Sequence, residues 1–101
     1  METYNVLIYP KAQNDLKDIV EYLNTLSPQS AFEYYDLIIE RITELQNFPK
    51  RYPYARDSQL RLKGYRFFMV KSYIVFYCTI GNEVQIRRIL YGKRNYNDLL
   101  R

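Results

Sequence analysis

Between Lys11 and Leu45 the apolar residues recur at helical spacing, and the pattern breaks once, at Ser27-Pro28. Ala12, Leu16, Ile19, Val20 and Leu23 fall at i, i+4, i+7, i+8 and i+11, which is one face of a helix; Asp15, Asp18 and Glu21 fall on other faces. Ser27 is a good N-cap, and Pro28 suits the first helical position, where its missing N–H costs nothing. The second helix carries Ala31, Tyr35, Ile38, Ile42 and Leu45 and closes before Pro49. Two helices joined by so short a turn must double back on each other, each presenting one apolar stripe.

On either side of this hairpin the pattern turns strand-like. Tyr4–Tyr9 is a short aromatic and β-branched run that Pro10 ends. Phe48–Gln59 holds two prolines and no period, so it reads as a loop. Tyr65–Val70, Tyr73–Ile80 and Glu83–Leu90 are rich in β-branched and aromatic residues, with Lys71-Ser72 and Gly81-Asn82 between them as turns. The expected fold is α+β, in the order β-α-α-β-β-β. An antiparallel helical hairpin packs on a small, mostly antiparallel sheet, and a short tail follows from Gly92. The hairpin is the only apolar partner available to the sheet, so the opposite sheet face is expected to be free for binding. Nothing along residues 1–101 reads as a linker or repeat, which predicts a single domain.

Composition removes several kinds of chemistry. The chain has no histidine and one cysteine, Cys78, so histidine acid–base catalysis, an internal disulfide and a cysteine metal cluster are all unavailable. No metal and no cofactor are expected. No apolar run is long enough to span a bilayer, and Met1-Glu2-Thr3-Tyr4-Asn5 lacks the basic start and apolar stretch of a signal peptide. A cytoplasmic location with no membrane contact is the expectation.

The formal net charge of +4 conceals a division. Residues 1–50 hold four basic and eight acidic side chains, whereas residues 51–101 hold eleven basic and three acidic. Segregated charge creates a directed field, and the C-terminal half is where a polyanion would bind. Its basic residues cluster at Arg61, Lys63 and Arg66, at Arg87 and Arg88, and at Lys93 and Arg94, interleaved with Tyr65, Tyr73, Tyr77, Tyr91 and Tyr96. Arginine forks grip phosphates and tyrosine rings stack on unpaired bases, so the set suits single-stranded RNA. If strands bring these groups to one sheet face, Arg66, Arg88, Lys93, Arg94 and Tyr96 are the candidate catalytic residues. Arg61, Lys63 and Arg87 are then candidate nucleic-acid contacts.

RNA carries its own 2′-OH nucleophile, so cleavage needs neither metal nor histidine. It does need a tyrosine or lysine shifted from its ordinary pKa of about 10. Tyr73 and Tyr77 lie mid-strand and read as core, as does Cys78. Arg88 shares strand parity with Val84, Ile86 and Leu90, which would place it in the core unless a bulge re-aims it. Glu83 and Asp98 are its nearest candidate partners in sequence.

In order, the segments SPQSAFEYYDLIIERITELQNFP, RLKGYRFFMVKSYIVFY and VQIRRILYGKRNY resemble the RelE/ParE superfamily of toxins over nearly the whole chain. The resemblance implies the toxin of a type II toxin–antitoxin pair, held in a hetero-oligomer by a cognate acidic antitoxin. RelE-like members cut mRNA on the ribosome; ParE-like members inhibit DNA gyrase and cut nothing. RelE-like action is the leading expectation and gyrase inhibition the alternative. Arg66 matches the family's basic residue on the second strand, and Lys93 and Arg94 match its Gly-Lys-Arg segment. Three nuclease features are replaced. Tyr73 is followed by Ile74 instead of arginine, Phe68 stands where a further lysine is usual, and the late tyrosine falls near Leu100, with Tyr96 the nearby substitute. The long hairpin ending in L-x-x-F-P looks more ParE-like.

Overall fold

The computed structural model describes residues 3–93 and residue 100. Strand β1 (Asn5–Ile8) leads into helices α1 (Pro10–Leu26) and α2 (Pro28–Glu44). A short helix α3 (Ser58–Leu62) precedes β2 (Arg66–Val70), β3 (Tyr73–Ile80) and β4 (Glu83–Tyr91). The four strands form one sheet in the order β1-β4-β3-β2. The pairs β2–β3 and β3–β4 are antiparallel, while β1 runs parallel to β4, with Asn5 opposite Glu83 and Ile8 opposite Ile86. The expected α+β architecture is therefore present, with β1 as the parallel edge.

Ser27 serves both helices. Its N–H donates to the Leu23 carbonyl at 2.8 Å, ending α1, and its hydroxyl accepts from the Ser30 N–H at 3.2 Å, starting α2. Pro10 is the first residue of α1 rather than the end of a strand, the position at which proline's fixed φ favours a helix. Ala12, Leu16, Ile19 and Leu23 from α1 pack with Ala31, Ile38 and Ile42 from α2, and with Leu45 at its C-cap, against Tyr73, Val75, Tyr77, Val84 and Ile86 of the sheet. Tyr35 was expected on the α2 stripe but is 44% exposed. Tyr34 and Tyr35 flank the stripe on opposite sides, and Tyr34 is the one that meets the core, edge-on to Tyr73.

The second sheet face is not free. Ile74, Phe76, Cys78 and Leu90 point to it and are covered by Ala55, Leu60, Tyr65 and Leu100. Leu60 is delivered by α3, which the loop reading of this region missed; Asp57 caps it, accepting from the N–H groups of Gln59 (3.0 Å) and Leu60 (3.1 Å). Residues 53–55 also run along the outer edge of β2, where the Ala55 N–H donates to Tyr65 O (2.8 Å) and the Phe67 N–H to Pro53 O (3.2 Å). β3 is buried from Tyr73 to Cys78 without alternation, as a strand covered on both faces must be.

The two tight turns differ. Gly81 adopts φ +60° in the β3–β4 hairpin, the role expected of it, whereas Lys71 adopts φ +56° in the β2–β3 hairpin without glycine's freedom. Among the described residues no helix is long and apolar enough to cross a membrane.

Candidate functional site

Arg88 is positioned by a β-bulge. β3 and β4 stay in register from Tyr73–Tyr91 to Phe76–Arg88, then Tyr77 pairs with Ile86, leaving Arg87 as the extra residue. The slip lets Ile86 and Ile89, three apart, both enter the core beneath the helices. It also resolves the parity of Arg88, whose partner is Asp15 on α1 rather than Glu83; Asp98, the other candidate, lies outside the described residues. Arg88 Nε donates to Asp15 Oδ2 at 2.7 Å and Nη2 to Oδ1 at 2.9 Å, and the Ile89 N–H donates to Oδ2 at 2.9 Å. β1 pairs with β4 only as far as Ile86, so the Asp15 carboxylate takes the Ile89 N–H where no strand does. The hydrogen bonds from Arg88 to Asp15 raise the arginine's pKa further, against the opposing effect of burial. Asp15 is itself buried, contrary to its expected place off the core face. It flanks the α1 stripe much as Tyr34 flanks that of α2.

Arg66, at the start of β2, is also engaged. Its Nη1 donates to the Tyr52 carbonyl at 2.6 Å, and its guanidinium lies over the Tyr54 ring at 3.9 Å. It stands opposite Tyr77, whose ring lies in the core beneath the helices, whereas Arg88 stands opposite Phe76, which faces the other way. The structure thus does not bring Arg66 and Arg88 to one sheet face. Adjacent β3 residues alternate sides, so the two arginines start from opposite faces. The Arg88 side chain reaches past the end of β1 to Asp15 on α1, while Arg66 turns to Tyr52 and Tyr54.

Arg87 lies over the rings of Tyr9 (4.8 Å) and Tyr65 (5.8 Å) and donates from Nη1 to Gln85 Oε1 at 3.2 Å. Arg87, Tyr9 and Tyr65 line, with Lys11, Arg88 and Leu100, a cavity of about 430 Å³. Arg61, Lys63 and Lys93 are exposed. Arg94 and Tyr96, the remaining candidates, lie outside the described residues. Tyr9, Tyr54 and Asp15 were not anticipated as partners of these arginines. Asp15 alone carries a signal in the sequence, as an acid flanking an apolar stripe.

The tyrosines whose pKa values shift do so upward. Burial raises Tyr65 and Tyr73, and it pushes Tyr77 up to about 12, against the lowering effect of nearby Arg66. The Tyr77 hydroxyl donates to the Pro49 carbonyl at 2.7 Å. Burial likewise raises the Cys78 thiol, making it a poor nucleophile. Each of these shifts disfavours the ionised form that a general base or thiolate nucleophile requires. Among the described residues no group of histidine, cysteine, aspartate and glutamate side chains is placed to hold a metal.

A helical hairpin on a four-stranded sheet with a parallel edge strand, and a basic second half, define a small toxin of the RelE/ParE superfamily. A family model, described as the ParE toxin of the type II toxin–antitoxin system parDE, matches residues 6–96, and the chain belongs to that family. Among solved structures it is similar to a chain of the chromosomal ParDE toxin–antitoxin system from P. aeruginosa. The TM-score is 0.73 at 24% identity, covering 88% of this chain and 96% of that one, a likeness of fold. No curated protein matches the chain.

Proposed function

We propose that this chain, acting as one toxin domain in the cytoplasm, arrests growth as a ParE-like inhibitor of DNA gyrase and does not cut nucleic acid. The observation that carries the reading is the double engagement of Arg88 by Asp15, which commits the arginine of the I-x-R-I-L segment (Ile86 to Leu90) to the fold. Arg66 is likewise committed to a loop carbonyl and a ring. A nuclease needs at least one free cation facing the scissile phosphate and one group able to accept a proton. Of the cations first expected, Arg66 and Arg88 are occupied, Lys93 is exposed and Arg94 lies outside the described residues, and the tyrosines that shift do so the wrong way for a base. Membership of the ParE family favours the same side.

In this reading an acidic antitoxin neutralises the basic half through Arg61, Lys63, Arg87 and Lys93, forming the hetero-oligomer typical of such modules. The ParDE assembly of the structural relative supports this partner. The test is a supercoiling assay with purified gyrase and relaxed plasmid. The protein should inhibit supercoiling in a dose-dependent way, and added antitoxin should reverse it. Full supercoiling activity at toxin concentrations that arrest growth would overturn the proposal.

A further inference from the structure

We propose that the groove between α1, α2 and the ends of β3 and β4 is a receptor for an arginine side chain of a partner protein. The groove encloses about 510 Å³ and is lined by Tyr22, Tyr34, Tyr73 and Tyr91, with Asp18 at its rim. The rings do not stack flat. Tyr34 meets Tyr73 at 6.1 Å and 87°, and Tyr73 meets Tyr91 at 5.9 Å and 65°, so successive rings form walls at steep angles. Tyr22 and Tyr91 remain 60% and 43% exposed, leaving ring surface open to an incoming group. Burial, then the neighbouring hydroxyls of Tyr34, Tyr22 and Tyr91, raise the pKa of Tyr73, so its ring stays uncharged.

Charge selects the occupant. Although the protein carries a net +4, no lysine or arginine among the described residues lines this groove, and two carboxylates do. Asp15 is neutralised by Arg88, while Asp18, one turn before Tyr22, is exposed and among the described residues accepts a 3.3 Å hydrogen bond from Asn14 Nδ2 and pairs with no cation. Aromatic faces around one uncompensated carboxylate attract a cation, and a planar guanidinium also stacks on rings as an ammonium does not. Phosphate would be repelled, which separates this groove from any use of the basic half. The inference stands apart from the gyrase proposal, since it requires only that some protein partner present an arginine.

The test is an NMR titration of the tyrosine ring signals with N-acetyl-arginine methylamide, set against N-acetyl-citrulline methylamide, which has nearly the same shape and no charge. The arginine probe should shift the Tyr22, Tyr34 and Tyr91 signals saturably and bind at least about fivefold more tightly than citrulline, in keeping with a modest cation–π gain. Tyr22 and Asp18 are exposed, so the Tyr22→Ala/Asp18→Asn variant should keep its circular dichroism and Tm while its affinity for the probe falls about tenfold. Equal affinity for the two probes, absent shifts, or unchanged binding in the variant would overturn the proposal.

Discussion

Asp15 and Arg88 lie 73 positions apart and form a two-pronged ion pair, at 2.7 and 2.9 Å, that ties the first helix to the bulge of the last strand. Their side chains are only 10% and 15% exposed, so neither charge has water as a ready alternative. Such a pair is stabilising chiefly in the sense that losing one partner strands the other.

That asymmetry yields the first prediction. Asp15→Ala leaves a buried guanidinium and the Ile89 N–H without a partner, and should lower stability by about 3–5 kcal/mol. Asp15→Leu combined with Arg88→Met should recover most of that loss in chemical denaturation. If Arg88 serves only the fold, the double variant should still arrest growth wherever it accumulates to normal levels.

Arg66 should behave differently. Arg66→Ala removes a charge-assisted bond to the Tyr52 carbonyl and the stacking on Tyr54, for a loss of about 1–3 kcal/mol. Arg66→Lys should recover little, because an ammonium cannot both stack on the ring and hold the fork geometry. Urea denaturation of the two variants checks both statements. Full stability in Arg66→Ala would leave its contacts without energetic weight.

Tyr77 predicts an alkaline transition. Its folded pKa of about 12 lies above the unfolded value of 10.0, so the neutral form is favoured in the native state. Its contribution is fully present below about pH 10 and is lost as pH rises toward 12, on the order of 2–3 kcal/mol. Tyr65 and Tyr73, also raised, act in the same direction. Tyr77→Phe leaves the Pro49 carbonyl unpaired, costing about 1–3 kcal/mol at pH 7, and should flatten the fall in Tm above pH 10.

Lys71 holds a left-handed backbone without glycine's freedom. Lys71→Gly should relieve that strain and raise stability by roughly 0.5–1 kcal/mol, measurable as a higher Tm. A destabilised variant would show that the lysine side chain contributes more than its backbone conformation costs.

Much of the architecture was legible because the helical and strand periods dominate their segments. Ala12 to Leu23 and Ala31 to Leu45 are periodic, Ser27-Pro28 is a strong boundary, and Gly81-Asn82 marks its hairpin turn, where Gly81 takes a positive φ. The covered second sheet face was missed although β3 advertises it: YIVFYCTI has no polar alternation before Thr79, as befits a strand buried on both sides. Capping by Asp57 was equally readable, but a helix of five residues leaves too little period to detect. The site was harder. Arg88 was recognised as anomalous by parity, yet its partner could not be found from neighbouring sequence, because the contact depends on where the crossover returns α1 over β4. The pairing of Arg66 with Tyr52 and Tyr54 depends on a loop with no period at all.

As proposed, this toxin arrests growth without cutting RNA. The most direct test adds the purified protein, from a preparation shown to arrest cells, to a reconstituted translation reaction and maps the 5′ ends of the message. Intact mRNA is expected at every toxin concentration. New 5′ ends confined to ribosome-bound message, and lost on Arg94→Ala or Tyr96→Phe, would contradict it and restore the basic C-terminal residues as a nuclease site.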